Sequence, residues 1–64
     1  MDKETQYNEL VDASALMKTA YKKIISVARE SNNIYLKDAA IKLAESRMYI
    51  DSCVIPEYEK EIDN

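Results

Sequence analysis

The 64-residue chain has no glycine, histidine, tryptophan or phenylalanine, and only one proline and one cysteine. The absence of glycine excludes the phosphate-cradling loops of nucleotide-binding folds, which need backbone without a Cβ at fixed positions. It also argues against strands joined by tight turns and for long uninterrupted helices. Without histidine there is no Cys/His zinc site, and one cysteine makes no internal disulfide. Cys53 lies between apolar neighbours and reads as a small buried residue, not a nucleophile. A lone thiol suits a reducing compartment. No apolar run reaches the ~18 residues of a membrane span, and the N-terminus does not resemble a secretory signal. The expectation is a soluble, cytoplasmic protein without a membrane partner.

A chain this short forms at most one domain, and a single core of this size yields only a few kcal/mol. With disulfide and zinc excluded, self-association is the remaining means of stabilisation. The net charge of −3 is unevenly spread. Residues 13–29 carry Lys18, Lys22, Lys23 and Arg29 with no acid, whereas acids dominate both ends of the chain. A basic segment on an acidic protein points to a local anion contact and away from extended nucleic acid.

The pattern predicts an all-α antiparallel helical hairpin. Asp2 and Thr5 are N-cap residues in type, and good helix formers run from about Lys3 to Glu30. Leu10, Ala13, Met17, Ala20, Ile24 and Val27 fall at three- and four-residue spacings, with Leu16, Tyr21 and Ala28 widening the stripe. Helix preference is weakest at Asp12 to Ser14, where a break would fall. Ser31-Asn32-Asn33 is the turn, with Asn32 or Asn33 capping a second helix from about Ile34 to Ile55. Pro56 disfavours helical geometry at Ile55 and marks the stop. An acidic tail over 56–64 either adds a helical turn or lies loose.

The second helix has apolar residues on two sides. Leu36, Leu43 and Ile50 repeat every seven residues, flanked by Ala39, Ala40 and Val54, and Ile34, Ile41, Met48 and Ile55 repeat nearly opposite. The first seam closes the hairpin. The second has no partner within a two-helix chain and is assigned to an oligomer interface.

Neither catalysis nor a metal or cofactor is expected. There is no base beside Cys53 and no serine in a nucleophile setting, and acid pairs such as Asp38 with Glu45 are ordinary on surface helices. Binding is better supported. Lys18, Lys22 and Arg29 share a line on helix 1 with Tyr7, Val11 and Ile25, and Tyr35, Lys42 and Tyr49 form a similar line on helix 2. Such basic and aromatic stripes suit a phosphate with a stacked base, and they equally suit helix borders whose polar tips stay in water.

Residues 39–49, A-A-I-K-L-A-E-S-R-M-Y, resemble a stretch A-x-T-K-L-E-E-A-x-M-W. That stretch occurs in small helical phage proteins that sequester the nucleotide signals of bacterial immunity, the anti-CBASS and anti-Thoeris sponges. Ala39, Lys42, Leu43, Glu45, Met48 and Tyr49 carry the likeness. Ile41 stands where the family often has threonine, and Ser31-Asn32-Asn33 only loosely represents its S-R-E. Phosphate contacts from those positions would pass to Lys18, Lys22 and Arg29. The resemblance implies a homo-oligomer, a dimer of dimers or larger, that binds cyclic oligonucleotides between subunits without cleaving them. Lys18, Lys22, Lys42 and Arg47 would then meet phosphates, and Tyr7, Tyr21, Tyr35 and Tyr49 would stack on bases. The alternatives are a helical adaptor that binds a host or viral protein, and an RNA-binding hairpin dimer similar in layout to the plasmid copy-number regulator.

Overall fold

A computed structural model describes residues 1–63, and Asn64, the last residue of the expected tail, lies outside the described residues. Helix α1 spans Lys3–Ser31 and α2 spans Ile34–Tyr49. A π-helical turn, Ile50–Val54, then leads directly into α3, Ile55–Asp63. The described residues are all-helical, and α2, the π turn and α3 return along α1 as the second arm of an antiparallel hairpin. The rod measures 48 × 16 × 14 Å.

Local chemistry sets the helix ends. The Asp2 carboxylate accepts the Thr5 N–H at 2.7 Å and so caps α1. Hydrogen bonding to Thr5, through the side chain first and the backbone second, holds the Asp2 carboxyl below its usual 3.8. A depressed folded value means the cap contributes above the ordinary carboxylate range and is lost as pH falls through it. The first turn of α1 is therefore expected to fray in acid, read as a fall in the protection of the Thr5 amide relative to its intrinsic exchange rate at each pH. Asp2→Asn, which caps without titrating, should abolish that pH dependence.

At the other end Asn32 adopts the left-handed conformation, φ 56° and ψ 34°, which asparagine tolerates better than most residues with a Cβ. Asn33 then caps α2, its side-chain oxygen accepting the Tyr35 and Leu36 N–H groups at 2.9 and 3.1 Å. Asn33→Ala should cost about 1 kcal/mol, measured by urea melting, because both amides lose their acceptor. An unchanged midpoint would show that the turn does not need this cap.

Helix α1, whose continuity at Asp12 to Ser14 the sequence leaves open, runs unbroken there. Other expectations are corrected. Val27 and Leu16, assigned to its core stripe, are 54% and 70% exposed, while Ile25 is half-buried. At about 100° per residue, Leu16 and Val27 lie roughly 110–130° from the buried line through Ser14, Met17, Tyr21 and Ala28, beyond the reach of a single packing partner. Finally, the helical path does not stop at Pro56. In an α-helix the proline ring would meet the carbonyl four residues back and leave a donor missing. Here the ladder is already open, because the Ile55 N–H donates to the carbonyl of Ile50, five residues back. Such π turns relax the ladder locally.

The wider turn also rotates the residues on its C-terminal side. Ile55, placed with the Ile34–Ile41–Met48 seam, becomes half-buried, and Cys53, expected to be buried, is exposed. α3 is held to the start of α1 by Lys3, whose ammonium lies 2.9 Å from Glu61 and 4.9 Å from the centre of the Tyr58 ring. The described part of the tail is therefore docked and not loose.

The core is thin. Ala28 and Ala40 are the fully buried apolar residues among those described, and no large side chain is enclosed. Two helices touch along one line, so Leu10, Met17, Ile24, Leu36 and Leu43 are covered on one side only. Alanines at the contact let the backbones approach closely.

Candidate functional site

Where α1 crosses the end of α2, one polar cluster is set into the apolar seam. The Ser14 hydroxyl, buried, donates to Asp51 Oδ1 at 2.6 Å and accepts from Arg47 Nε at 3.1 Å. Arg47 Nε also stands 3.6 Å from Asp51 Oδ2, a pair one helical turn apart. The hydroxyl is satisfied as both donor and acceptor, which a buried polar group requires. Among the described residues these bonds use the Nε edge of Arg47.

Beside the cluster lies a groove of about 270 Å³ between the two helices. Its walls are Met17, Lys18 and Tyr21 from α1 and Leu43, Ala44, Arg47 and Met48 from α2, with Asp51 at one end. The groove thus combines an apolar and aromatic lining with two cations and one carboxylate. That mixture fits an anion attached to a flat or apolar body.

The fold brings together only part of the expected set. Lys18, Tyr21 and Arg47 share the groove, and Met48 forms its rim. At about 100° per residue, Lys22 and Arg29 fall within roughly 40° of Lys18, and Ile34 and Ile41 within roughly 40° of Met48. The basic stripe of α1 and the second seam of α2 therefore flank one side of the rod. Tyr7 is half-buried on α1, outside the groove lining. Tyr35 and Lys42 are exposed and are not part of that lining. Lys42 instead pairs with Asp38 at 2.9 Å, and this hydrogen bond, then the carboxylate's charge, raises its ammonium above the usual lysine value. Tyr49 borders a separate recess with Glu45, Ser46 and Ile50.

Sequence reasoning misses Ser14 and Asp51. Asp51 follows Arg47 by four residues, a spacing compatible with a helical ion pair. The only signal at Ser14 is a polar residue adjoining an apolar stripe. No group of His, Cys, Asp or Glu side chains suited to a metal ion occurs among the described residues. No helix there is long and apolar enough to cross a membrane. Compared with known proteins, the chain matches no family model, no curated protein and no solved structure.

Proposed function

We propose that the protein binds a cyclic oligonucleotide signal and sequesters it without cleavage, at a site that two copies complete. The observation that carries this reading is the convergence of Lys18, Arg47 and Tyr21 on one groove whose rim is the exposed residue Met48. The cations answer phosphate, and the tyrosine ring with Met17 and Leu43 offers a surface for a base. The likeness of residues 39–49 to the phage sponge proteins supports the same ligand class. A volume of about 270 Å³ lies just below the roughly 300–1,000 Å³ usual for small-molecule sites. A second copy against the Met48 rim would deepen the groove into a full site.

Calorimetry against a panel of cyclic di- and trinucleotides tests the reading. Binding of at least one is expected at tens of micromolar protein, and silence with all of them would sink it. Lys18→Ala should weaken that binding roughly tenfold, the worth of one charge-assisted contact. Melting should be unchanged, because Lys18 is exposed. A helical adaptor that lays the Ile34–Ile41–Met48 face into a partner's groove is the runner-up, favoured by the same exposed face, and for it Lys18→Ala would be silent.

A further inference from the structure

We infer that α3 is a strap that opens from α1 as one unit about the π turn, with Lys3 as its latch, while the α1–α2 hairpin stays folded. The strap is weakly attached along its whole length. At the hinge, Pro56 has no N–H to donate and the Ile55 N–H reaches back five residues to Ile50, so the α-helical ladder from α2 is interrupted. No residue of α3 is fully buried: Ile55, Pro56 and Tyr58 are half-buried, and Ile62 is 36% exposed. At the far end the Lys3 and Glu61 side chains, paired at 2.9 Å, are 58% and 53% exposed. By contrast, the hairpin encloses Ala28 and Ala40 completely. A nine-residue helix is marginal by itself in water, so α3 unwinds when it leaves α1 and its amides lose their protection.

Charge makes the docking conditional. α3 carries Glu57, Glu59, Glu61 and Asp63 against Lys60. It lies on the start of α1, between the contacts at Lys3 and Ser14. Residues 1–17 there carry Asp2, Glu4, Glu9 and Asp12, with Lys3 their one Lys or Arg. Two acidic segments therefore pack together, and Lys3 opposes the repulsion twice, through the Glu61 carboxylate and through the Tyr58 ring at 4.9 Å. Without that cation, apolar cover is left to hold α3 against charges that are mainly alike. Opening uncovers Tyr7 and Leu10, half-buried residues on the line from Lys3 to Ser14 at about 100° per residue. It also reaches the groove, because Asp51 lies in the hinge and forms the groove's carboxylate end. The strap needs neither a nucleotide nor a second copy.

Residue-resolved amide exchange on the ligand-free full chain tests the strap, each rate taken relative to the intrinsic rate in the same buffer. The α3 amides are expected to be at least roughly tenfold less protected than those of Ala40 and Leu43. At low salt, Lys3→Gln should cut α3 protection roughly three- to tenfold and leave Ala40 and Leu43 unchanged. Half-molar salt should restore part of that loss, since it screens the repulsion the variant leaves unopposed. Lys3→Arg, which keeps both the charge and the ring contact, should keep the protection. Equal protection of α3 and the hairpin would overturn opening as a unit. Lys3→Gln with α3 unchanged, with α3 and Ala40 loosened alike, or with α3 loosened further by salt would overturn the latch.

Discussion

Ala40→Leu is expected to lower the melting temperature by about 4–24 °C, while Ala39→Leu, one residue away, leaves it nearly unchanged. Ala40 has no exposed surface and Ala39 is exposed, so the same added atoms meet a packed helix at one position and solvent at the other. Overpacking typically costs about 1–3 kcal/mol, and in a domain this small each kcal/mol moves the midpoint by about 4–8 °C. The penalty is large relative to the whole, since a chain of this length is stabilised by only a few kcal/mol. Leucine at position 40 must push the helices apart, because no other enclosed side chain can yield. Thermal melts followed by circular dichroism decide the matter, and equal shifts for the two variants would show that Ala40 does not set the helix spacing.

A second substitution should move stability and binding in opposite directions. Asp51→Ala removes the acceptor of the Ser14 hydroxyl and the partner of Arg47. Hydrogen bonds to a charged group contribute roughly 1.5–3 kcal/mol. The Arg47 and Asp51 side chains are 33% and 41% exposed, so solvent replaces part of the loss and about 1–2 kcal/mol is expected. A double-mutant cycle with Ser14→Ala should give a coupling of at least about 0.5 kcal/mol. Asp51 is also the one carboxylate in the groove lining. Its removal frees Arg47 and makes the groove more positive, so an anionic ligand should bind several-fold more tightly to a less stable protein. Weaker binding would mean that Asp51 positions Arg47 for the ligand instead of competing with it.

The hairpin is legible in the sequence because its signals are local. Asn32 and Asn33 set the turn through a left-handed residue and a side-chain cap, both decided within a few residues. Leu36, Leu43 and Ile50 are legible as the closing seam from their spacing alone, and Ile34, Ile41 and Met48 as a seam left over, whereas the spacing sets Ala39 and Ala40 alike beside the first seam and only the packing buries Ala40 and exposes Ala39. Part of the groove is legible too, since Lys18 and Tyr21 border stripes that periodicity picks out. Lys42 is misleading in that respect, as nothing in its spacing distinguishes a ligand contact from its pair with Asp38.

The sequence by itself determined that this protein is two long helices folded back at residues 31–33, with more apolar surface than one hairpin can cover. Periodicity and capping act over three to seven residues, so a linear reading contains them. Only the tertiary structure decided that the chain passes Pro56 through a π turn, that Ile55 leaves the outer seam, and that Lys18 and Arg47 share a groove. Those outcomes depend on α1 packing against the returning arm, where Ser14 bonds to residues 33 and 37 positions away. No local pattern encodes contacts at that separation.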